Sequence, residues 1–293
     1  MSASVKSAVR TQDASLIPGE FVLTRDDFHK ISRMIYADAG INLNEGKAAL
    51  VYARLAKRLR ALKLQAFREY CELVASPRGE AERQEMLTSL TTNVTKFYRE
   101  PHHFEHLKTH VLGPAKAERR GRLRLWSAAC STGQEPYSLA MTLLSCWPAA
   151  ASEDVKILAT DIDRNVIATA EAGVYDEAQM EGVAPDSRRR FFEPAEEGRF
   201  RVVEALRRLV SFRRLNLLED WPMQGQFSAI FCRNVVIYFD EPTQQALWQK
   251  FTPRLSPGGA LYIGHSERVT GPATAKLRAD GVSTYRLAGG RET

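Results

Sequence analysis

Apolar positions in the first third of the chain recur with the 3.6-residue period of amphipathic helices. The segment TRDDFHKISRMIYADAG opens at a candidate N-cap, Thr24, carries Asp26 and Asp27 in its first turn, and stops at Gly40. Three further segments continue this pattern: EGKAALVYARLAKRLRALKL, LQAFREYCELVAS and GEAERQEMLTSLTTNV. Because no strand pattern interrupts them, we predict a small helical domain over residues 21–95.

The second part of the chain alternates short apolar runs with helical segments. The runs are LRLWSAAC, VKILATDI, FSAIFCRNV, GALYIGHSE and STYRLA. This alternation predicts a doubly wound, mainly parallel α/β sheet over residues 122–287. Short β-type stretches in RFRVVEALRRLVSFRRLNLL predict a small antiparallel β-subdomain at about 188–214. The other segments are predicted to be a flexible tail at 1–20, a linker at 96–121 and a C-terminal tail at 288–293.

Composition is that of an ordinary soluble protein, with 44% hydrophobic and 26% charged residues among 293. No apolar run approaches the roughly 18 residues of a membrane span, and the N-terminus does not resemble a signal peptide. We therefore expect a cytoplasmic protein without membrane insertion. We also expect a monomer, since no long exposed apolar stripe demands an oligomer.

Cysteine and histidine positions give no sign of a metal centre. Cys71, Cys130, Cys146 and Cys232 are scattered without a C-x-x-C pair, and we interpret them as reduced thiols. His102-His103 is the one tempting pair, but adjacent helical residues diverge by about 100°, so we expect no shared metal.

The basic charge indicates an acidic partner. The formal net charge is +6 and the sequence pI is near 9.2. Nucleic acid, a membrane surface and an acidic protein all remain open on charge alone.

Candidate binding residues follow the strands of the predicted sheet, at the edge where open α/β sheets bind ligands. They are Gly133 and Glu135 after the first strand, Asp161 closing the second, Asn216 before the third, and Arg233, Asn234 and Tyr238 after it. A carboxylate closing the second strand is the usual partner of ribose hydroxyls. The first turn has one glycine where pyrophosphate sites have three, and Glu135 would repel a phosphate. We predict an adenosine ligand without phosphate, which S-adenosylmethionine satisfies.

Two neighbouring features have structural interpretations as well. Asp163 is interpreted as the N-cap of the following helix. The segment TSLTTNVTKFYREPHHF, residues 88–104, brings together hydroxyls, Asn93, Arg99 and aromatic side chains. It serves either as a structural linker or, because ligand sites prefer domain interfaces, as part of the site.

These segments together resemble the CheR family of chemoreceptor methyltransferases. The resemblance rests on LTTNVTKFYRE, RLWSAACSTGQEPYSLAM, ILATDIDRNVIATAEAGVY, LNLL and IFCRNVVIYFDEPTQQALWQKFTPRLSPGGALYIGHSE, and covers about residues 22–287. It implies an all-α N-terminal domain and a class I S-adenosylmethionine-dependent methyltransferase domain with a β-subdomain. The implied activity is methylation of glutamate side chains on the cytoplasmic helices of chemoreceptors, with S-adenosylhomocysteine as the second product.

The resemblance also implies site residues. Cofactor contacts are expected at Asn93, Thr95, Arg99, Glu135, Asp161, Asn216, Leu217, Asn234 and Val235. Arg99 and Tyr238 are expected to place the substrate carboxylate. Arg54, Lys57, Arg58 and Arg60 lie outside the apolar stripe of their helix and are candidates for docking on an acidic receptor, although a solvated face is the alternative.

Recruitment through a receptor's C-terminal pentapeptide is not expected. Family members that use it carry a longer, glycine-containing hairpin, whereas RRFFEPAEEGRFRVV is short and acidic. Two other functions stay open: a nucleic-acid methyltransferase, disfavoured because CRNVVIYF lacks a Pro-Pro-aromatic step, and a non-catalytic sensor of S-adenosylmethionine.

Overall fold

The computed structural model describes residues 15–118 and 122–289. The chain divides into two compact units, Met1–Thr92 and Asn93–Thr293. The predicted tails at 1–20 and 288–293 lie largely outside the described residues. Within the described ranges, no helix combines the length and the apolar character that crossing a membrane requires.

The first unit is helical, as its periodicity predicts. Its described α-helices are α1 (Arg25–Ala39), α2 (Ala48–Leu62), α3 (Phe67–Ala75) and α4 (Glu80–Leu90). Thr24 is the N-cap of α1 and forms a capping box with Asp27, which stabilises such a helix start by about 1 kcal/mol. Gly40 ends α1 in the left-handed conformation. The predicted start and stop of this helix are confirmed.

The core of the first unit lies along the predicted apolar stripe of α2. Val51, Leu55 and Leu59 are fully buried there, and Leu62 at the end of the helix is half-buried. Since α2 packs on α4 and α3 packs on both α1 and α4, the stripe faces the interior of the four-helix group.

The second unit is built on a seven-stranded sheet and a small three-stranded sheet. In chain order the described strands are β1 (Arg122–Ala128), β2 (Asp154–Asp161), β3 (Val174–Tyr175), β4 (Phe192–Pro194), β5 (Phe200–Val202), β6 (Val210–Arg214), β7 (Phe227–Cys232), β8 (Leu255–Ile263), β9 (Leu277–Ala279) and β10 (Thr284–Leu287). The large sheet has the order β6-β2-β1-β7-β8-β10-β9. Its first five strands are parallel, and β10 runs antiparallel to both neighbours.

Helices cover the sheet and bury its apolar side chains. In the described part of this unit they are α5 (His102–Leu107), α6 (Gly113–Ala117), α7 (Gln134–Cys146), α8 (Arg164–Ala172), α9 (Pro185–Phe191), α10 (Glu204–Arg207) and α11 (Glu241–Phe251). One apolar cluster packs α7 against the strands, and a second gathers Trp126, Trp221 and Trp248 around β7 and β8. The alternation of buried strands with helices thus forms the predicted doubly wound layers.

The small antiparallel sheet differs from its prediction at both ends. Its order is β3-β5-β4, so Val174–Tyr175 belongs to it although the prediction began at residue 188. Val210–Arg214 was placed in it, but this strand pairs in parallel with β2 at the edge of the large sheet. The apolar residues Val210 and Phe212 pack into the main core, which explains why this strand belongs to the large sheet.

The segment 96–121, predicted as a linker, is largely helical as far as it is described. It contains α5, a π-helical stretch Lys108–Leu112 and α6. Phe104, Leu107 and Leu112 are buried in the core of the second unit. This apolar face makes the segment part of that unit. The cysteines are all free thiols, as predicted.

Candidate active site

The turn after β1 positions the first candidate residues. Gly133 has a φ of 96°, and a Cβ there would lie 2.7 Å from the Tyr175 hydroxyl and 2.9 Å from the Ala170 Cβ. Glycine is therefore required for close packing of this turn on its own unit. Glu135 follows in the first turn of α7, where the helix dipole favours a carboxylate.

Asp161 organises a hydrogen-bonded cluster at the end of β2. Its Oδ2 accepts from the Ser131 backbone N–H at 2.8 Å, and its Oδ1 accepts from that of Asp163 at 3.1 Å. The Asp163 carboxylate caps α8 by accepting from the Asn165 backbone N–H, which confirms its predicted structural role. Asn93 reaches the same place: its Nδ2 donates to Asp163 at 3.0 Å, and its carbonyl accepts from the Ser131 hydroxyl at 2.8 Å.

A buried arginine joins a second group of charges. The side chain of Arg233 is 2% exposed; its Nη1 lies 3.1 Å from Oε2 of Glu135, and its Nη2 lies 3.3 Å from Oε2 of Glu100. Nη2 also donates to the backbone carbonyl of Arg99. The Ser127 hydroxyl donates to Glu135 Oε1 at 2.7 Å. One guanidinium therefore ties together the turns that follow β1 and β7 and the loop that carries Arg99.

Burial raises the pKa of two of the three carboxyl groups Asp161, Glu135 and Glu100. It raises the pKa of Asp161 to about 6, against the opposing hydrogen bonds from the Asp163 and Ser131 backbone. Burial also raises the pKa of Glu135, and the charge of Arg233 opposes it. Burial alone would raise the pKa of Glu100 too, but Arg233 and the hydrogen bonds from His265 hold it below its ordinary value.

Another carboxylate, Glu267, holds the loop after β7. It accepts from the backbone N–H groups of Asn234 at 3.1 Å, Val236 at 3.0 Å and Gly264 at 2.5 Å. Asn234 has a φ of 59°, and a Cβ on Gly264 would lie 2.9 Å from its backbone nitrogen. Glu267 and the absence of a side chain at position 264 together fix the conformation of the loop that carries Asn234 and Val235.

The two candidate catalytic side chains lie on loops of this unit. Arg99 is half-buried, and its Nη1 donates to the Val94 carbonyl at 3.2 Å. Tyr238 is also half-buried and ends the short 3₁₀ helix Val236–Tyr238, just beyond the loop that Glu267 holds. Thr95 lies in the same loop as Val94 and is half-buried.

Asn216 and Leu217 directly follow β6, which is a strand of the large sheet. The prediction described Asn216 only by its position before the strand that is now β7. Leu215 donates its backbone N–H to the Asp161 carbonyl at 2.9 Å, which places this turn beside the end of β2. Asn216 accepts from the Leu218 N–H, and its Nδ2 donates to Glu219 at 3.1 Å. Leu217 is buried.

The four basic residues of α2 differ in their surroundings within the first unit. Arg54 donates to the carbonyls of Leu90 and Thr91 at the end of α4, and Arg58 forms two hydrogen bonds with Glu82. These two side chains therefore have structural roles. Lys57 and Arg60 are exposed, with Arg60 paired to Glu20.

The expectation that His102 and His103 point apart is wrong. Their ring centroids are 4.2 Å apart, and potential ligand atoms of His102, His103 and Glu100 lie within 4.8 Å of one another. Burial lowers the pKa of His103 to about 3, so this imidazole is neutral. The positive charge of the Arg233 guanidinium beside Glu100 opposes a cation bound to this cluster.

Several residues of the site were not singled out from the sequence. Ser127, Ser131, Glu100 and Glu267 had no proposed role, and Arg233 was noted only by its position after a strand. A signal existed for two of them: Glu100 adjoins Arg99, and Glu267 lies in the segment GHSE that directly follows a buried strand.

Comparison with known proteins decides the family. Residues 93–284 match the family model "CheR methyltransferase, SAM binding domain", and residues 26–91 match "CheR methyltransferase, all-alpha domain". The chain belongs to the CheR family. It is similar to the "Probable chemotaxis protein methyltransferase" of Rhizobium etli, with 57% identity over 86% of this chain and 96% of that protein. It is also similar to the "Chemotaxis protein methyltransferase" of Escherichia coli, with 44% identity over 82% of this chain and 83% of the relative.

Membership in the CheR family accounts for the architecture. The two matched domains follow the two compact units closely, with the boundary between residues 91 and 93. The predicted fold class is confirmed: an all-α domain precedes a doubly wound class I methyltransferase domain with a small antiparallel sheet.

The hydrogen-bond acceptors of this CheR-family site fit S-adenosylmethionine. A carboxylate has about four acceptor positions, and each oxygen of Asp161 and Glu135 accepts at least one hydrogen bond within the protein. Capacity remains for two ribose hydroxyls at Asp161 and for an ammonium at Glu135. The turn at Gly133 has no further glycine with which to approach a phosphate.

Proposed function

We propose that this protein methylates glutamate side chains of chemoreceptor cytoplasmic helices, giving glutamate 5-O-methyl esters and S-adenosylhomocysteine. The observation that carries the proposal is the placement of Asp161 at the end of β2 and of Glu135 in the first turn of the helix after the adjacent strand β1, in a domain that matches the family's SAM-binding model. The names of the relatives support methylation in chemotaxis.

The chemistry needs little from the protein beyond alignment. S-adenosylmethionine, when bound, supplies an electrophilic methyl group on a sulfonium. A substrate glutamate is already ionised at pH 7, so no general base is required. Holding carboxylate and methyl group in line contributes up to about 7–11 kcal/mol to such reactions in favourable cases.

Each residue of the site then has a definite task. Asp161 accepts the ribose hydroxyls, Glu135 pairs with the methionine ammonium, and Asn216 with Leu217 borders the adenine. Asn93, Thr95, Asn234 and Val235 complete the cofactor contacts. Arg99 and Tyr238 orient the glutamate carboxylate. Arg233 supports this arrangement, because it holds both Glu135 and the backbone of Arg99.

The test is transfer of label from methyl-tritiated S-adenosylmethionine to membranes that contain chemoreceptors. Carboxyl methyl esters release volatile methanol in mild base, whereas N-methyl and C-methyl groups do not. We expect volatile label, reduced at least tenfold by Arg99→Ala. Lys96→Ala is the matched control, since it removes an exposed cation from the same loop.

Other outcomes of this assay would overturn the proposal. Label in RNA or DNA would indicate a nucleic-acid methyltransferase. Cofactor binding without transfer to any receptor would indicate a sensor.

Cofactor affinity should fall in acid. Because burial raises the pKa of Asp161 to about 6, this carboxyl is largely ionised at pH 7 and largely protonated at pH 5. If only the ionised form accepts both hydroxyls, the Kd for S-adenosylmethionine rises about tenfold from pH 7 to pH 5. Glu135, whose pKa is also raised, acts in the same direction. Calorimetric titration at pH 7, 6 and 5 measures this, and a constant Kd would contradict the assignment.

Receptor docking is proposed to use the basic face of α2 without a pentapeptide tether. Lys57 and Arg60 are exposed and carry this proposal, Arg54 adds a cation beside them, and the charge of Arg58 is balanced by Glu82. The hairpin of the small sheet joins strands of three residues through Ala195–Arg199 alone, which supports independence from a C-terminal pentapeptide. Lys57→Glu should raise the receptor KM at low salt and little at high salt. Binding of an isolated receptor pentapeptide would contradict the proposed independence from that peptide.

A further inference from the structure

Large apolar side chains are exposed at three places in the described part of the second unit. They are Val94, 79% exposed, Ile237, 49% exposed, and Val282, 69% exposed. Single exposed apolar residues are ordinary on protein surfaces. The position of these three relative to the sheet is what distinguishes them, and we call them the apolar rim.

Val94 directly follows the residue that joins the turns after β1 and β2. The residue before it, Asn93, is bonded to Ser131 after β1 and to Asp163 after β2. The carbonyl of Val94 itself accepts from Arg99. This valine is therefore held next to the cation proposed to orient the substrate carboxylate.

Ile237 and Val282 lie at the ends of the next two strands. Ile237 comes five residues after β7, adjacent to Tyr238 and beyond the loop that Glu267 fixes. Val282 lies in the turn between β9 and β10. Its neighbour Ser283 accepts from the N–H of Ile263, the last residue of β8, and its own carbonyl accepts from His103.

All three side chains thus border the edge of the sheet that carries the candidate site. Parallel strands lie about 4.8 Å apart, so the distance from β1 and β2 to β8 across this edge is about 10–15 Å. That distance corresponds to two to three turns of an α-helix. A helix crossing the edge could contact the rim at both ends and present one side chain to Arg99 and Tyr238 between them.

We propose that the apolar rim is the docking surface for the substrate helix of the receptor, and that it accepts a helix whose methylated glutamate is flanked by apolar side chains one to two turns away. This rests on the proposed function and specifies how its substrate is recognised. The rim supplies contacts without charge, so it selects the residues around the glutamate, while the basic face of α2 acts through charge. An exposed aliphatic side chain is suited to this task because burial in the complex removes it from water.

The experiment measures two quantities with a purified receptor cytoplasmic fragment: its Kd for the protein, and base-labile methyl transfer. Val94→Ser, Ile237→Ser and Val282→Ser should each weaken receptor binding by about threefold to tenfold, with S-adenosylmethionine affinity unchanged within twofold. The matched control is Val22→Ser, at an exposed valine of the first unit. Because all four sites are exposed, thermal unfolding should be unaffected.

The two readouts separate the rim from the proposed function. Unchanged receptor Kd in all three rim variants would overturn the docking surface, even if methyl esters form normally. Weakened binding in the rim variants without any methyl transfer by the parent protein would support the surface and refute the proposed reaction. Failure of the parent protein to bind the fragment, or an equal loss in Val22→Ser, would also overturn the inference.

Discussion

Arg233→Met is expected to destabilise the second unit by about 3–5 kcal/mol. Methionine keeps much of the volume of arginine, but it leaves Glu135 and Glu100 without their shared counter-ion and removes a donor from the Arg99 carbonyl. Breaking a buried ion pair on one side costs more than the pair itself contributes, because an uncompensated charge remains. All four tryptophans of the sequence lie in the second unit, so their fluorescence during urea unfolding reports on that unit.

The control for this substitution is Arg124→Met. Arg124 pairs with Asp154, which is 53% exposed, and surface pairs of this kind contribute about 0–1 kcal/mol. Equal losses in the two variants would show that Arg233 has no special role.

The pH dependence of the Arg233→Met deficit has a definite sign. Burial already raises the pKa of Glu135, and loss of Arg233 raises it further. The loss of folding stability arises from the ionised form of Glu135. It is therefore complete at pH values above the raised pKa of the variant, and it shrinks as the pH falls toward the ordinary pKa of a carboxyl group. Glu100 acts in the same direction. Because its pKa is lowered in the folded protein, its ionised form stabilises the fold at pH values above the ordinary carboxyl pKa, and this stabilisation depends on Arg233. A deficit that grows in acid would contradict this account.

Asp161→Ala is expected to raise the Kd for S-adenosylmethionine by at least a hundredfold and to reduce methyl transfer accordingly. Hydrogen bonds to a charged group contribute about 1.5–3 kcal/mol each, and two ribose hydroxyls are lost as donors. The substitution also removes the acceptor for the Ser131 and Asp163 N–H groups, which shape the turn that holds Asn93. Calorimetry with the purified variant measures the change in affinity.

Asp154→Ala is the matched control, since Asp154 begins the strand that Asp161 ends. It removes a carboxylate from the same strand at the opposite edge of the sheet, where no ligand is proposed. Asp161→Asn should give an intermediate loss, because one side-chain oxygen remains to accept a hydrogen bond. Unchanged affinity in Asp161→Ala would refute the assignment of the ribose site.

Local features of this protein could be predicted because their causes are local. The N-cap at Thr24, the stop at Gly40 and the cap at Asp163 depend on residues within four positions of the helix ends. The alternation of apolar runs with helices reflects burial on both faces of a parallel sheet, and it indicated the confirmed doubly wound fold.

Pairing between distant segments could not be predicted in the same way. The strand Val210–Arg214 has the β-type pattern of a small antiparallel sheet, but its partner is β2, about fifty residues earlier. Residues 102–117 were predicted as a linker, although their apolar face packs into the core of the second unit. In both cases the choice depends on which surface is available for packing, and a pattern of apolar residues does not contain that information.

The sequence by itself determined the family, the alternation of strands and helices in the second unit and the positions of Glu135, Asp161 and Asn234 after successive strands, because these follow from contiguous motifs and from the period of apolar positions. Only the tertiary structure decided that Arg233 joins Glu135 to Glu100, and that Glu267 holds the Asn234 loop. These contacts join residues 33 to more than 130 positions apart. Their charges can be buried only because the fold brings a partner to each of them, and that pairing is a property of the assembled core.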